Sequence, residues 1–178
     1  MAFIAPLVTK AAVPEWKIVP NESTITFTAT QNNAPVTGKF NSFDGEISFD
    51  PNQLNESKVL VKVKMSSVST SYGAIADILK SADWFDVSKF SQAIFEVKNF
   101  SKQNSNKYLA DGIVTIRDKV SPISSAFILE EYSKSKVRVN GTFIIKRTLF
   151  GVGQGDWAST DEISDNVQVN YTFSLLPA

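Results

Sequence analysis

The chain has 178 residues, a length compatible with one domain, and hydrophobic residues make up 43% of it. Its 13 Phe, 3 Trp and 4 Tyr give the apolar fraction an aromatic bias that suits strands or the lining of a pocket. Lysine plus arginine and aspartate plus glutamate number 18 each, so the net charge is zero. Nucleic-acid-binding proteins carry a basic excess or a basic patch, and its absence here excludes that class.

The sequence contains neither cysteine nor histidine. This excludes disulfides, thiol nucleophiles and cysteine-ligated zinc, and also a Ser-His-Asp triad and histidine-ligated zinc or haem. No apolar run approaches the ~18 residues of a transmembrane helix. Catalysis would have to rely on carboxylates, lysine, tyrosine or a Ser-Lys pair, and we expect no cofactor.

Residues 1–14 form an N-terminal segment that is distinct from the domain predicted for residues 15–178. Ala2–Val8 is apolar, but no basic residue precedes it and Pro6 interrupts it. A complete secretory signal has a positive region before its apolar core. The segment is therefore either the remnant of a truncated export signal or an ordinary first segment.

Alternation of apolar and polar residues predicts strands in the first third of the chain. In one of them, Ile25, Phe27 and Ala29 alternate with threonines. Gly38 falls inside another strand pattern, where a bulge or a sharp bend is the usual reason for glycine. The predicted strands are Trp16–Val19, Ser23–Thr30, Val36–Phe40, Phe43–Asp50 and Val59–Met65.

One stretch departs from this alternation. Apolar residues in Ala74–Ala82 recur at spacings of three and four, which predicts one short amphipathic helix. Trp84, Phe85 and Phe90 follow directly. A single helix with aromatic residues at its end, set among strands, indicates a plug or lid on a β-structure.

Strand patterns resume after the helix and continue to the end of the chain. They predict strands at Ala93–Phe100, Leu109–Arg117, Ile123–Leu129, Val137–Arg147 and Val167–Leu175. About eight or nine short strands joined by hairpin loops indicate one all-β domain, either an antiparallel sandwich or a barrel. Periodicity alone does not choose between the two.

Three polar segments are candidates for a phosphate-binding, catalytic or metal-binding site. The glycine-rich run Gly151–Gly155 lacks the following helix of a phosphate-binding loop, so we interpret it as a tight turn. Ser133 and Lys136 match a Ser-x-x-Lys pattern but lie in a polar turn. The acidic residues of 156–165 do not have the spacing of a calcium-binding loop. No convergent catalytic or metal-ligating set is predicted.

Inward-facing apolar residues either pack into a filled core or surround a ligand cavity, and the pattern leaves both open. Glycines at the inward positions 38, 45 and 141 favour a hollow, because they remove side chains from the interior. The candidate lining residues are Phe27, Phe40, Ile47, Phe49, Val61, Val63, Leu79, Trp84, Phe85, Phe95, Val97, Phe143, Val169 and Tyr171. Arg147 ends an apolar inward face. There it would contact a ligand head group, or it would form an internal salt bridge to a carboxylate such as Asp156 or a backbone clamp that fixes the glycine-rich turn.

Several segments, in this order and spacing, resemble the YceI-like polyisoprenoid-binding family over residues 16–175. They are Trp16–Phe27, Val36–Phe40 with Phe43–Gly45, Leu79–Asp86, Ala93–Val97 and Arg147–Gly153. The resemblance implies a lipocalin-like antiparallel barrel of about eight strands that holds a long isoprenoid chain, in a periplasmic or secreted protein. Many members carry histidines near the second and third strands and in the segment before the helix; this chain has Gln31 and Asn32 in the first region and no histidine in the second, so no head-group role of those histidines carries over.

The resemblance favours non-catalytic binding, transport or sequestration of a polyprenyl or quinone-type lipid, within a stress response. The Trp84-Phe85 pair is similar to the branch associated with cytochrome b561-type membrane proteins, which makes such a protein, and a ubiquinone-like ligand, candidate partners. A homodimer is a further candidate. The alternatives are a lipid-modifying enzyme and a filled-core interaction module without a small ligand.

Overall fold

The computed structural model describes residue 4 and residues 11–178. The apolar segment considered as a signal remnant therefore lies, apart from residue 4, outside the described residues. The first described contact of the domain is the hydrogen bond that the Phe49 N–H donates to the carbonyl of Pro14, at 3.1 Å.

The described chain forms eleven strands and one α-helix, joined by short loops and single turns of 3₁₀-helix. The strands are β1 (Glu15–Ile18), β2 (Thr24–Gln31), β3 (Ala34–Phe40), β4 (Phe43–Ser48), β5 (Lys58–Lys64), β6 (Val68–Thr70), β7 (Gln92–Lys102), β8 (Lys107–Ile116), β9 (Lys119–Tyr132), β10 (Val137–Lys146) and β11 (Asn166–Pro177). The helix, α1, spans Gly73–Lys80 and begins one residue before the predicted start.

Eight strands close into an antiparallel barrel in the order β1-β4-β5-β7-β8-β9-β10-β11, and β11 pairs back with β1. The long strand β11 is the branch point: residues 175–177 pair with β1, whereas residues 168–172 pair with β2. From β2 the sheet continues through β3 to β6, against which α1 packs. The predicted all-β barrel with one main helix is thereby confirmed.

Three strand paths bend where the barrel meets this extension. A 3₁₀ turn begins with Pro20 between β1 and β2, and Pro20 cannot donate to a strand ladder. A second turn, Met65–Ser67, separates β5 from β6. Ser67 Oγ accepts hydrogen bonds from the N–H groups of Asn41 and Ser42 at 3.1 and 3.0 Å, which fixes the bend between β3 and β4.

Two of the three glycines predicted to open the interior, Gly38 and Gly141, are covered by aromatic rings of the neighbouring strands, and the third, Gly45, lies against Ile18 and Val61. A Cβ at Gly38 would lie 2.3 Å from Cζ of Phe27, and one at Gly141 would lie 2.2 Å from Cζ of Tyr171. Phe27 and Gly38 are cross-strand partners in an unbroken register, so of the bulge or sharp bend predicted at Gly38 the bulge does not form. Gly38 and Gly141 give room to a ring and do not by themselves create a hollow.

The end of the barrel away from α1 is filled with aromatic side chains. Phe49 lies at the centre, with ring centroids of Phe100, Phe127, Tyr108 and Tyr132 at 5.5–6.3 Å. Its carbonyl also accepts the indole N–H of Trp16 at 3.0 Å. Edge-to-face packing of this kind stabilises a core beyond simple burial, and the larger of the two internal spaces lies at the other end.

Candidate functional site

The half of the barrel beside α1 encloses a cavity of about 280 Å³. Nearly all of its lining is apolar, and it is contributed by seven strands, α1 and the loops that follow α1 and β10. A cavity of about 150 Å³ lined by aliphatic and aromatic groups is known to hold benzene, so this space is large enough for a bigger apolar ligand.

Most of the predicted lining residues surround this cavity. They are Phe27, Phe40, Val61, Val63, Leu79, Trp84, Phe85, Phe95, Phe143, Arg147, Val169 and Tyr171. Ile47, Phe49 and Val97 lie instead around a second space of about 50 Å³ in the aromatic half of the barrel. Their side chains face inwards like those of the cavity lining, but they lie further along the barrel axis. Alternation of apolar and polar residues predicts the face of a strand and not the position along the axis.

The cavity also has lining residues that the sequence did not single out. Gln31 ends β2 and is the one uncharged polar amide among them. Val114 and Ile116 of β8 were missed because β8 carries apolar residues on both faces. The others are Ile25, Ala29, Val36, Met65, Ile75, Ile78, Ala93, Ile94, Ile145, Val152, Trp157, Ile163, Val167 and Phe173. The helical spacing of Ile75, Ile78 and Leu79 was the available signal for the α1 part of this set.

The segment after α1 closes one side of the cavity and is held from two directions. Arg117, in the β8–β9 hairpin, donates from Nη1 to the carbonyls of Ala82 and Trp84 at 2.7 and 2.6 Å. From the loop after β10, the N–H groups of Gly153 and Gln154 both donate to the carbonyl of Asp83 at 2.8 Å. These four hydrogen bonds fix the position of Trp84 and Phe85 at the cavity wall.

Arg147 is 2% exposed, and main-chain oxygens satisfy its guanidinium. Nε donates to Ser164 at 3.2 Å, Nη1 to Val152 at 3.0 Å and Gly153 at 3.4 Å, and Nη2 to Ser159 and Ile163 at 2.9 Å each. Arginine has five N–H donors, and five carbonyls accept from them. The glycine-rich turn and the following loop are therefore wrapped around this one side chain.

These contacts match the alternative in which Arg147 organises the turn. Within the described residues Asp156, the carboxylate proposed as its partner, forms no ion pair with it; the carboxylate whose charge acts on the pKa of Arg147 is Asp165. Burial lowers the pKa of Arg147, and Asp165 opposes this shift. Partial burial acts to raise the pKa of Asp165, but two hydrogen bonds from Thr148 and the charges of Arg147 and Lys146 lower it below its ordinary value.

Tyr171 places a second polar group in the wall, and it too is satisfied. Ser125 Oγ donates to the carbonyl of Thr142 at 2.9 Å, so the 2.7 Å contact between Ser125 Oγ and Tyr171 Oη has the tyrosine as donor. Burial raises the pKa of Tyr171 to about 12, and the bond to Ser125 opposes the rise. The phenol is therefore neutral and engaged with the protein.

The segments considered for catalysis are structural in the described chain. Ser133 Oγ accepts the N–H of Lys136 at 3.1 Å and closes the exposed turn between β9 and β10. Gly151, Gly153 and Gly155 all have positive φ, as the turn interpretation requires. Among residue 4 and residues 11–178, no group of acidic side chains is placed to hold a metal ion. None of the described helices has the length and apolar character needed to span a bilayer.

The family model of the YceI-like domain matches residues 16–175. Two UPF0312 proteins are similar over part of the chain: one of Vibrio cholerae is 32% identical over 88 residues, and one of Shewanella baltica is 30% identical over 89 residues. These matches cover 49% and 50% of this chain. The chain spans about half the length of these curated relatives, 47% in both cases.

Solved structures extend the similarity to the whole barrel. BcnA of Burkholderia cenocepacia superposes with a TM-score of 0.84 at 25% identity, over 88% of this chain and 98% of its own. A polyisoprenoid binding domain of Saccharophagus degradans gives 0.73 at 15% identity, over 92% and 98% of the two chains. The YCEI protein of Campylobacter jejuni gives 0.68 at 24% identity, over 79% and 84%. The last two comparisons show the shared fold.

Proposed function

Because the chain belongs to the YceI-like family, we propose that it binds the apolar chain of an isoprenoid lipid inside the barrel and transports or sequesters it without chemical change. The observation that carries the proposal is the apolar cavity of about 280 Å³ between α1 and the barrel strands. The name of the Saccharophagus domain, a polyisoprenoid binding domain of the same fold, supports the choice of ligand class.

The energetics of such a carrier depend on where the lipid comes from. Removing a CH₂ group from water is worth about 0.8 kcal/mol, and a prenyl tail of roughly forty carbons would then exceed any real affinity. The state that competes with the carrier-bound lipid is the lipid in a membrane, where the tail is already shielded from water. Exchange is close to neutral for the tail, so shape and polar contacts at the end of the cavity decide which lipid is loaded.

The same observation weighs against the two alternatives. A filled-core module would leave no cavity; here Phe95 and Phe143 stack across the barrel at 5.5 Å, and a space of about 280 Å³ still remains in the half beside α1. A lipid-modifying enzyme would need a nucleophile or an acid-base pair facing the cavity. Of the described polar groups in the wall, Arg147 and Tyr171 are hydrogen-bonded to the protein.

The test is native mass spectrometry of protein purified from a lipid-containing host, followed by organic extraction. We expect one long-chain species per protein molecule, released unchanged by solvent, whose mass gives chain length and head group. A protein that carries no lipid from any host and takes up none from vesicles would contradict the proposal. Conversion of added lipid to a product would favour the enzyme.

The location, the physiological role and the macromolecular partners are proposed on family resemblance alone. We propose a periplasmic or secreted carrier that exchanges a quinone-type lipid with a cytochrome b561-type membrane protein under stress. Fractionation of the native host and cross-linking at the cavity mouth test this, and the same samples report whether the protein is a homodimer.

A further inference from the structure

We infer that the indole N–H of Trp84 is the hydrogen-bond donor for one uncharged oxygen at the polar end of the bound lipid. The inference rests on the proposed function and names the chemistry at one end of the same cavity. Trp84 is 6% exposed and lines the cavity, yet its Nε1 atom is buried without an acceptor anywhere in the described chain.

A buried donor without an acceptor costs about 1–3 kcal/mol, and native structures contain few of them. The other buried indole for comparison, that of Trp16, donates to the carbonyl of Phe49 at 3.0 Å. The position of Trp84 is also closely fixed, since the carbonyls on either side of it accept from Arg117 and from the glycine-rich loop. An unsatisfied group held so firmly at a cavity wall points to a ligand atom as its partner.

The orientation of the ring agrees with this role. A Cβ built at Gly153 would lie 3.3 Å from Cη2 and Cζ3 of Trp84, so the six-membered end of the indole faces the glycine-rich loop. The pyrrole end, which carries Nε1, is directed away from that loop. Arg147 lies over the ring with its Cζ at 5.8 Å from the centroid, and a cation at that place polarises the indole and strengthens its N–H as a donor.

The remaining polar groups define the charge of the ligand oxygen. A phosphate needs several donors or a free cation, but all five N–H groups of Arg147 already donate to carbonyls and Tyr171 donates to Ser125. What is left in the described wall are neutral donors: the buried Trp84 N–H, and the half-buried indole of Trp157 and amide of Gln31, neither of which has a hydrogen bond from its side chain to the described residues. One or two of these donors suit a carbonyl or a hydroxyl oxygen.

The test compares two probes of equal shape on protein from which bound lipid has been removed on a hydrophobic resin. Geranylacetone is a prenyl chain that ends in a methyl ketone, and its deoxygenated analogue has CH₂ in place of the carbonyl. We expect the wild type to bind the ketone about tenfold more tightly than the hydrocarbon, as one buried hydrogen bond provides. Trp84→Phe should abolish this preference, measured as the ratio of the two affinities in the same variant.

Trp157→Phe tests the rival donor, because Trp157 lines the same cavity with its ring centroid 5.7 Å from that of Trp84 and its indole N–H also has no acceptor among the described residues. If this variant loses the ketone preference and Trp84→Phe keeps it, the donor is Trp157 and the role of Trp84 is overturned. The chain has 3 Trp, so ¹H–¹⁵N spectra of the wild type contain three indole signals. The ketone should shift the Trp84 indole proton downfield and the hydrocarbon should not, a readout that holds even if Trp84→Phe fails to fold.

The outcomes separate the two proposals. Equal affinities for both probes with no indole shift overturn the role of Trp84 and leave the carrier function intact. Tighter binding of geranyl monophosphate than of the ketone overturns the uncharged class of ligand. If none of the three probes binds, the proposed function fails and this inference fails with it.

Discussion

At the scale of single residues, the two polar side chains in the predicted lining have structural partners. Arg147 satisfies five carbonyls of its own loop, and Tyr171 donates to a serine that is 0% exposed. Both residues were predicted to face inwards, and both line the cavity. Their contribution is to hold the wall in shape, which leaves the indole of Trp84 as the buried polar group with an unused donor.

Substituting Arg147→Met should destabilise the protein by at least about 3 kcal/mol, because several buried carbonyls lose their donor together. Urea unfolding measures this change. Arg138→Met is the control, since Arg138 forms an ion pair with Glu130 in which both side chains are 38% exposed, and exposed pairs contribute about 0–1 kcal/mol. Residual folded Arg147→Met protein should retain its lipid. Unchanged stability with lost lipid would instead make Arg147 a head-group contact.

Stability should fall with rising pH through the ionisation of Tyr171. Its pKa is raised by burial from 10.0 to about 12. The phenol is neutral in both states below pH 10, so its contribution to stability is complete there. Above pH 10 the phenol ionises first in the unfolded state, which lowers the free energy of that state relative to the folded one. The loss should be about 1.4 kcal/mol per pH unit between pH 10 and 12.

Unfolding titrations of the wild type and Tyr171→Phe between pH 9 and 11.5 measure this contribution. The variant keeps the hydrogen bond that Ser125 donates to the carbonyl of Thr142, and it removes only the hydroxyl group of Tyr171. The difference in unfolding free energy between the two proteins should shrink as the pH rises above 10. A difference that stays constant would mean that Tyr171 titrates normally in the folded state.

At the scale of elements, strand alternation predicted most of the barrel and failed in identifiable places. β6 has three residues and follows a 3₁₀ turn, too short for a period of two to be visible. β9 runs well beyond the predicted Ile123–Leu129 and includes Pro122. It pairs with β10 only over residues 126–132, so Pro122 lies where β9 has a single neighbour, a position that tolerates proline.

The pairing of aromatic rings with glycines on the next strand gives a prediction for Gly38. In Gly38→Ala the new Cβ would displace the ring of Phe27, which can move only into the cavity. We expect a loss of about 1–3 kcal/mol in unfolding free energy and a lower lipid content. Gly73→Ala is the matched control, because nothing lies within 4 Å of its Cβ position. It should stabilise the protein by about 0.4–1 kcal/mol; an equal loss in both variants would contradict this packing.

At the scale of the whole molecule, the sequence predicted the barrel and its inward residues but not how the interior is divided. Phe49 and Phe95 have the same alternating pattern, yet Phe49 lies among four rings at the filled end, whereas Phe95 stacks on Phe143 at 5.5 Å between the two spaces and lines the larger cavity. The difference depends on the bent strand paths and on α1, which enters one end only. Whether opposing rings meet is a property of three-dimensional spacing, which a period of two does not contain.

This division predicts that lipid loading can be blocked without unfolding the barrel. Ala93 of β7 lines the cavity, and Ala93→Phe would place a ring in the space proposed for the lipid. Because the cavity can accept the added atoms, the change in unfolding free energy should stay below about 3 kcal/mol, while bound lipid falls well below one molecule per protein.

Ala126→Phe is the matched control: Ala126 lies between the buried Ser125 and Phe127 on β9 and so faces outwards. Native mass spectrometry of the two variants, purified from the same host, measures lipid occupancy, and urea unfolding measures stability. If Ala93→Phe folds and still carries one lipid per molecule, the lipid does not occupy this half of the barrel, whereas loss in both variants would indicate that loading depends on general stability.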